Sequence, residues 1–391
     1  MKIVIPKETR AGERRVALVP ESCKKLIQAG YVISVERGAG EAAFYPDDVY
    51  HEVGCNVEHD PEAMIGSAEL VLKVNPPAID TASRNEVEWM KPGTVFLASL
   101  MPLRYLEVVR QLATRKITAF STDAIPRITR AQSMDTLSSM ASIIGYKGVL
   151  LAAAELGKYF PMFMTAAGTV FPAKVFVIGA AVSGLQAIAT ARRLGASVTA
   201  TDVRPEVKEQ IESLGAKYIG IELKESASAG GGYAKELSAE DKLQQRKLLA
   251  EQCAAVDIVI TTALIGGVFA PKLITAEMVS QMRPGSIIID LGADGGGNCE
   301  LSRPGETVMT QGVKIIAPLN LPSTLPTHAS LLFSRNLTAF VQAFTKDKKF
   351  QLDLSEEIQK GSLITHGGEI LNVRTQKALK DALKTTRSEV S

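Results

Sequence analysis

The chain has 391 residues, of which 46% are hydrophobic and 22% charged, the composition of a globular protein of about two domains. Its net charge of +2, with basic and acidic residues interspersed, indicates neither nucleic acid nor an anionic membrane as a ligand. The four cysteines are isolated and form no CxxC pair, which predicts a reducing cytoplasm and no metal site. No run reaches the roughly 18 apolar residues of a membrane helix, so we do not expect the chain to cross a membrane by itself.

The first third of the chain alternates short β-branched runs with amphipathic helical patterns. The predicted strands are Ile3–Ile5, Val32–Glu36, Leu70–Val74, Val95–Ser99 and Ile117–Ser121. Helical patterns such as Glu21–Ala29 and Tyr105–Thr114 lie between them. Strands separated by helices need crossover connections, so this pattern predicts a parallel sheet.

A second alternating series follows the break MTAAGTVFPAK. Its predicted strands are Val175–Ile178, Val198–Thr201, Lys217–Ile219, Ile258–Thr261, Ile287–Leu291 and Val313–Ile316. The prolines of residues 319–330 then lead into a long helix, which we expect to return with the tail to the first domain. The predicted fold is α/β, with two Rossmann-like domains of doubly wound parallel sheets joined by two interdomain helices. Residues 1–135 and 325–391 would form the first domain, and residues 136–324 an NAD-binding Rossmann domain.

The stretch KVFVIGAAVSGLQAIATARRLGASVTATD, residues 174–202, is the most informative in the chain. It predicts a buried strand, a glycine turn, a helix of small residues and a second strand that ends in an acid. Gly179 allows the tight turn, and Gly184 lets the helix pack close to the strand, so that the helix amides face a pyrophosphate. Ala181 stands where a middle glycine is usual, so the backbone is expected to approach the phosphates less closely.

Asp202, at the end of the second strand, is placed to accept hydrogen bonds from both hydroxyls of a ribose. Its charge would repel a 2′-phosphate, which favours NAD(H) over NADP(H) as the cofactor. Arg204, two residues further on, could instead pair with that phosphate. The alternative without a ligand is a helix-packing glycine pair followed by a capping aspartate.

Three further segments are rich in glycine or small residues. The loop KESASAGGGYAKELS, residues 224–238, carries Tyr233 and is long enough to be a lid, although a surface insertion would have the same composition. The segments TTALIGG (residues 261–267) and DLGADGGGNCE (residues 290–300) follow predicted strands. Ligands in parallel sheets lie at the carboxyl ends of strands, so Thr261, Thr262 and Ala263 are expected to line the nucleotide site.

The segment RITRAQSMDTLSSM, residues 127–140, combines a cation, an amide, a carboxylate and a hydroxyl just before an apolar helix. One interpretation is a capped helix, with Ser133 as the N-cap and Asp135 in the first turn. It leaves Gln132 and the spacing of Arg127 unexplained. These groups, with Ser138, suit a nicotinamide carboxamide and its flanking phosphate without acid–base chemistry.

Several of these motifs resemble the NAD(H)-binding component of proton-translocating nicotinamide nucleotide transhydrogenase. They are RAQSMDTLSSMASIIGYKG, the segment from MTAAGTVFPAK to RRLGA, TATDVR, AGGGYAKE and ITTALI. The likeness extends from KIVIPKE to the proline-rich stretch near residue 322. The RAQSMD segment and the tyrosine loop are specific, whereas the glycine turn is common to many enzymes.

The resemblance implies that Arg127, Gln132, Asp135 and Ser138 contact the nicotinamide, from which hydride passes directly to NADP⁺ on a partner subunit. The implied NAD(H) contacts are Gly179, Ala181, Val182, Gly184, Asp202, Val203, Arg204, Gly232, Tyr233, Thr262, Ala263 and Leu264. It also implies a homodimer that binds an NADP(H)-binding subunit and a membrane-spanning subunit, which couples the transfer to proton translocation. The chain would then be cytoplasmic and peripheral on the inner face of the cell membrane, and active only with its partner subunits.

Alanine dehydrogenase is the nearest competing resemblance, through GERRVALVP and VLKV. That enzyme places an arginine, a lysine and a histidine around its keto acid, and Arg15 and Lys73 match the first two. Ser99 stands where the histidine should be, and a serine is a poor proton donor to a carbonyl. Hydride exchange between two nicotinamides needs only close and aligned rings. An amino-acid dehydrogenase and an NAD-sensing module without turnover remain the alternatives.

Overall fold

The computed structural model describes residues 1–79, 83–220, 238–264 and 270–388, with side chains as far as residue 382. The chain divides into two compact units, one formed by Met1–Met140 with Pro322–Ser391 and the other by Ala141–Leu321. It leaves the first unit within the helix Thr136–Glu155 and re-enters it within the short 3-10 helix Leu321–Thr324.

The first unit contains an eight-stranded sheet. In spatial order its strands are Glu369–Ile370, Leu363–His366, Thr118–Ser121, Val95–Ala98, Leu70–Leu72, Lys2–Ile5, Val32–Glu36 and Asn56–Glu58. The last six of these are parallel and follow the doubly wound order, with the first strand of the chain at the centre. The tail adds the two antiparallel edge strands, which the sequence pattern did not predict.

Eight helices of the first unit lie within the described residues and cover this sheet. They are Pro20–Gln28, Asp47–Glu52, Pro61–Gly66, Glu86–Trp89, Leu106–Thr114, Pro326–Ala343, Glu357–Ser362 and Val373–Ser388. The central strand is buried on both faces, since Ile3, Val4 and Ile5 are fully buried. A short continuous apolar run is typical of such a central parallel strand.

The second unit contains a seven-stranded sheet. In spatial order its strands are Lys217–Tyr218, Ser197–Thr201, Lys174–Ile178, Ile258–Thr261, Ile287–Asp290, Val313–Ile316 and Thr307–Thr310. The first six are parallel and have the 3-2-1-4-5-6 order of a Rossmann sheet. The predicted α/β class with two doubly wound sheets is therefore confirmed. The antiparallel edge strand Thr307–Thr310 was not predicted.

The helices of the second unit pack on both faces of its sheet. They are the portion of Thr136–Glu155 beyond Met140, Val182–Arg193, Lys208–Ser213, Ala239–Ala255 and Ala276–Ser280. The segment MTAAGTVFPAK, interpreted from the sequence as a break, contains a two-stranded hairpin, Phe163–Thr165 with Gly168–Val170. Every residue of both hairpin strands is exposed.

One helix of the described residues, Thr136–Glu155, is long and apolar enough to span a membrane, with a mean hydropathy of 1.4 in its most apolar window. Length and composition are weak evidence, since core helices of globular proteins meet the same criterion. Val149 and Ala152 of this helix are fully buried in the core of the second unit. Gly145 lies so close to the next helix that an added Cβ would be 2.1 Å from the Ser183 carbonyl oxygen.

Candidate nucleotide site and flanking charged cluster

The glycine turn of the second unit brings helix Val182–Arg193 against the end of strand Lys174–Ile178. Gly179 has a φ of +94°, a conformation that favours glycine, and its amide donates to the Thr201 carbonyl at 2.9 Å. A Cβ on Gly184 would lie 1.9 Å from the carbonyl oxygen of Gly179. Both positions therefore require glycine, one for the turn and one for the close packing of helix on strand.

Ala181 is the N-cap residue of this helix. Its φ of −78° is available to any residue, so alanine is accommodated here without backbone strain. An alanine side chain cannot accept a hydrogen bond, so it does not cap the amides of the first helical turn. Those amides can therefore donate to an anion. The Ser183 hydroxyl in this turn is buried and has no hydrogen-bond partner among the residues that the structure describes.

Asp202 lies beside the glycine turn, as predicted for the residue that ends the second strand. Its carboxylate accepts from the Ala180 amide at 2.7 Å and from the Arg204 amide at 2.9 Å. The Arg204 guanidinium donates from Nε at 2.9 Å and from Nη2 at 2.8 Å. The hydrogen bonds to Asp202 raise the pKa of Arg204. The carboxylate and the guanidinium, treated as alternatives in the sequence, thus form one ion pair.

The segment after strand Ile258–Thr261 meets the glycine turn at the point where the strand order reverses. The Thr262 hydroxyl donates to the Gly179 carbonyl at 3.0 Å, and its amide donates to the Ile178 carbonyl at 2.9 Å. This contact lies at the topological switch point, the usual ligand crevice of an open parallel sheet. Gly179, Gly184, Asp202 and Thr262 are therefore close together in the second unit.

Two residues that sequence reasoning missed hold this segment in place. Asn298 accepts from the Ala263 amide at 3.1 Å and donates to the Ala263 carbonyl at 2.9 Å. Asp290 is fully buried and accepts hydrogen bonds from five donors, among them the Asn298 amide at 3.0 Å and the Thr261 hydroxyl at 3.0 Å. The segment DLGADGGGNCE had indicated a ligand-side loop, but its spacing gave no sign that its acid and amide organise the neighbouring loop.

The other predicted cofactor residues are distributed around this turn or lie outside the described residues. Val182 is 38% exposed and Leu264 37% exposed, while Val203 is half-buried between Asp202 and Arg204. Gly232 and Tyr233 belong to the undescribed residues, so the predicted lid stays a prediction.

The segment RITRAQSMDTLSSM belongs to the first unit and forms a 3-10 helix, Thr129–Met134, before the long helix. The expected N-cap at Ser133 is wrong, because Ser133 lies inside the 3-10 helix and the long helix begins only at Thr136. Asp135 takes the capping position and accepts from the Ser138 amide at 2.8 Å and the Ser138 hydroxyl at 2.6 Å. Asp135 and Ser138, predicted separately as nicotinamide contacts, are thus hydrogen-bonded to each other.

The 3-10 helix is fixed to its own unit by its backbone and its apolar side. Asn336 donates to the Ser133 carbonyl at 2.8 Å, and Ala131 and Met134 are buried. Arg127 and Gln132 have exposed side chains. The segment is therefore a firmly held turn that presents polar groups to the outside of its unit.

The switch point of the first sheet carries buried charges instead of a glycine turn. Arg15 donates to Glu13 from Nε at 2.8 Å and from Nη2 at 2.6 Å. Lys73, 1% exposed, donates to both oxygens of Glu86 at 3.0 and 2.8 Å and lies 3.7 Å from Glu8. Burial alone would lower the pKa of Lys73, but the Glu8 and Glu86 carboxylates outweigh it and raise that pKa. The arginine and lysine that match the keto-acid residues of alanine dehydrogenase are both paired with carboxylates of this chain.

Ser99, which stands where alanine dehydrogenase has a histidine, lies at the end of strand Val95–Ala98. Its hydroxyl donates to Asp123 at 3.2 Å. The same carboxylate oxygen accepts from the Met101 amide at 3.1 Å and from the Ser121 hydroxyl. Ser99 therefore belongs to a hydrogen-bonded loop anchor and has no basic partner within these contacts.

Two doubly wound sheets, with a glycine turn at the switch point of the second, define an α/β protein of the two-domain Rossmann-like class. Family models agree with this class along most of the chain. The model described as "Alanine dehydrogenase/PNT, N-terminal domain" matches residues 4–144, and that described as "Alanine dehydrogenase/PNT, C-terminal domain" matches residues 148–373. The chain belongs to the alanine dehydrogenase/PNT family.

Individual relatives rank the two branches of this family. The chain is 46% identical over 376 residues to the first of the polypeptides that make up NAD(P) transhydrogenase subunit alpha in Rhodospirillum rubrum, covering 95% of this chain and 98% of that polypeptide. It is 42% identical over 372 residues to NAD(P) transhydrogenase subunit alpha of Haemophilus influenzae, covering 94% of this chain and 71% of that protein. Alanine dehydrogenase of Halomonas elongata is 28% identical over 392 residues, covering 98% of this chain and 96% of that protein.

Solved structures give the same ranking. Transhydrogenase from Sinorhizobium meliloti superposes with a TM-score of 0.84 at 42% identity, covering 95% of this chain and 100% of that one. An L-alanine dehydrogenase superposes with a TM-score of 0.80 at 25% identity, covering 97% of this chain and 99% of that one. The predicted resemblance to the transhydrogenase component, with alanine dehydrogenase as a further relative, is confirmed.

Proposed function

We propose that the chain is the NAD(H)-binding subunit of a proton-translocating transhydrogenase. Hydride would pass directly from NADH on this chain to NADP⁺ on a partner subunit, and a membrane-spanning subunit would couple the transfer to proton translocation. The observation that carries the proposal is the similarity to transhydrogenase alpha subunits along 95% of the chain, in which the second unit has a dinucleotide-type turn. The chain itself would stay peripheral on the inner face of the cell membrane.

The second unit would hold the NAD(H). The uncapped amides that follow Ala181 suit the pyrophosphate, because a helix N-terminus favours an anion. The Asp202 carboxylate is fixed beside the turn by the Ala180 amide, where it can accept from ribose hydroxyls. Its negative charge favours NAD(H) over NADP(H). Thr262 and Ala263, held by the Asn298 amide group, would complete the wall on the other side of the turn.

The 3-10 helix Thr129–Met134 would orient the nicotinamide in the transfer step. Gln132 is exposed, whereas the backbone around it is held by Asn336 and by the buried Ala131. A rigid backbone with an exposed amide suits alignment of two rings, which depends on small displacements. No group of this helix needs to exchange a proton in such a reaction, in agreement with its lack of an obvious acid–base pair.

Binding and transfer are tested separately. Reduced-nicotinamide fluorescence should show that the purified chain binds NADH more tightly than NADPH. Asp202→Ala should weaken NADH binding by about 1–3 kcal/mol, because a charged acceptor is lost. Equal or tighter binding of NADPH by the wild-type chain would contradict the NAD(H) assignment. Mixing the chain with an NADP(H)-binding subunit should then give NADH-to-NADP⁺ exchange, and its absence would refute the transhydrogenase function.

A homodimer is the proposed assembly of this subunit. Its support is the exposed hairpin of the second unit, where Met164 is 81%, Phe171 75% and Met162 57% exposed. An isolated two-stranded hairpin is marginally stable in water, and a contiguous apolar surface of this kind marks an interaction site. Sedimentation at micromolar concentration should give a dimer, and Met164→Lys with Phe171→Lys should shift it to the monomer. A wild-type monomer would contradict the assembly.

Amino-acid dehydrogenation is the competing function within the family. Arg15 and Lys73 are present, but both are paired with carboxylates, and Ser99 replaces the histidine. Serine is a poor proton donor to a carbonyl, so we expect little oxidation of NADH with pyruvate and ammonia. Brisk oxidation in that assay would make the chain an alanine dehydrogenase. NADH binding without turnover, even with an NADP(H)-binding subunit present, would favour a sensing module.

A further inference from the structure

Arg204 is held in the nucleotide site by a single carboxylate. Its Nε and Nη2 atoms make two parallel hydrogen bonds to Asp202, at 2.9 and 2.8 Å. Both side chains are largely buried, with 10% of Arg204 and 6% of Asp202 exposed. This two-pronged geometry is the one with which a guanidinium binds either a carboxylate or a phosphate.

We propose that Arg204 is a latent binding site for the 2′-phosphate of NADP(H), masked in this chain by Asp202. The proposal rests on the function proposed above, namely that the second unit binds NAD(H) with its adenosine ribose at Asp202. Asp202 occupies the guanidinium fork, and its charge repels a second anion. One residue therefore selects NAD(H) in two ways, because it accepts from the ribose and blocks the arginine.

The donors around Asp202 form a preorganised anion site. Four N–H groups converge on its two carboxylate oxygens: the amides of Ala180 and Arg204 and the two guanidinium nitrogens. Removing the carboxylate leaves these donors and a mostly buried cation without that partner, an unfavourable state that an incoming anion relieves. A phosphate monoester offers three acceptor oxygens, and a serine in place of Asp202 leaves space for it.

The reverse substitution gives an independent expectation. In the wild-type chain the Arg204 guanidinium offsets part of the Asp202 charge at close range. Arg204→Gln removes that offset and leaves the carboxylate in place. The variant should therefore discriminate against the 2′-phosphate more strongly than the wild-type chain does.

Calorimetric titration of the full chain with adenosine 2′,5′-bisphosphate and with 5′-AMP tests the site without the nicotinamide. Asp202→Ser should bind the bisphosphate at least about tenfold more tightly than wild type, and Asp202→Ser with Arg204→Gln should lose that gain. Glu209→Gln is the matched control, because it removes an exposed carboxylate from the next helix. The control should stay within about twofold of wild type. No gain in Asp202→Ser, or a gain that survives Arg204→Gln, overturns the proposal.

Failure of this inference and failure of the proposed function give different results. A wild-type chain that binds neither NADH nor 5′-AMP refutes the function, whereas NADH binding without a gain in Asp202→Ser refutes the latent site alone. Should Asp202→Ser not fold, the nearly isosteric Asp202→Asn and the single Arg204→Gln variant carry the test. Arg204→Gln should lower the ratio of NADPH to NADH affinity by at least about threefold, and an unchanged ratio overturns the proposal.

Discussion

Gly184→Ala adds one methyl group where helix Val182–Arg193 crosses the end of its preceding strand. The new Cβ would lie 1.9 Å from the Gly179 carbonyl oxygen and 2.8 Å from its carbonyl carbon, whereas ordinary van der Waals contact begins at 3.4 Å. Helix and turn must therefore separate by about 1.5 Å, and the neighbouring atoms are backbone, which cannot rotate away as a side chain would.

Adding a methylene to a close-packed core costs about 1–3 kcal/mol when side chains can move. Backbone must move here, so we expect at least about 3 kcal/mol. For a unit of this size, 1 kcal/mol corresponds to about 2–4 °C, so the melting temperature of the second unit should fall by about 6–12 °C. Scanning calorimetry measures this shift. Gly157→Ala is the control, since Gly157 is exposed and nothing lies within 4 Å of its Cβ position.

The same displacement should weaken nucleotide binding, because the first-turn amides move with the helix. At a temperature where the variant is folded, its NADH affinity should be at least about tenfold lower than that of wild type, the scale on which small misplacements act. A melting temperature equal to that of Gly157→Ala would refute the packing argument. A normal NADH affinity with a lowered melting temperature would show that the turn supports the fold but does not hold the ligand.

Three further predictions concern other regions of the chain. Gln132→Asn should keep NADH affinity within about threefold but slow NADH-to-NADP⁺ transfer in the reconstituted complex by about tenfold or more; normal transfer would make the 3-10 helix a scaffold. Asp290→Asn turns an amide toward buried donors, so urea unfolding should show a loss of about 2–4 kcal/mol, and a loss below about 1 kcal/mol would contradict its organising role. Burial alone would raise the pKa of Glu13, but the hydrogen bond and charge of Arg15 lower it from 4.5 to about 2. Glu13 therefore stabilises the fold above pH 4.5, by about 3 kcal/mol at neutral pH, and this contribution is lost as the pH falls toward 2. Urea unfolding of wild type and Glu13→Gln should accordingly differ at neutral pH and converge near pH 2, and a difference that does not change with pH would contradict this.

The folding class was readable from the sequence because its cause is local. Runs such as Ile3–Ile5 and Val175–Ile178 are continuous and apolar, as strands buried on both faces require, and helical periodicity separates them. The glycine turn could be recognised because only glycine tolerates the φ of Gly179 and the contact at Gly184. The edge strands Thr307–Thr310 and Leu363–His366 escaped prediction because their pattern does not distinguish them from loops and their pairing depends on distant partners.

The residues of the candidate site could be named from the sequence, but their partnerships could not. Asp202 and Arg204 were expected to act as alternatives, and in the fold they neutralise each other. Ser133 was expected to cap the long helix, and Asp135 does so because the preceding turn continues as a 3-10 helix. Each of these outcomes depends on where the backbone turns, which short-range patterns describe poorly.

The sequence by itself determined which segments form strands and helices and which residue types stand at the turn, since steric limits and hydrophobic periodicity act over a few neighbouring residues. Only the tertiary structure decided that Asp290 and Asn298 support the Ala263 segment, that Lys73 is buried between carboxylates, and that Arg204 is held by Asp202. Such contacts form between strand ends that meet at one edge of a sheet, and the order in which strands pair is set by the packing of the whole unit.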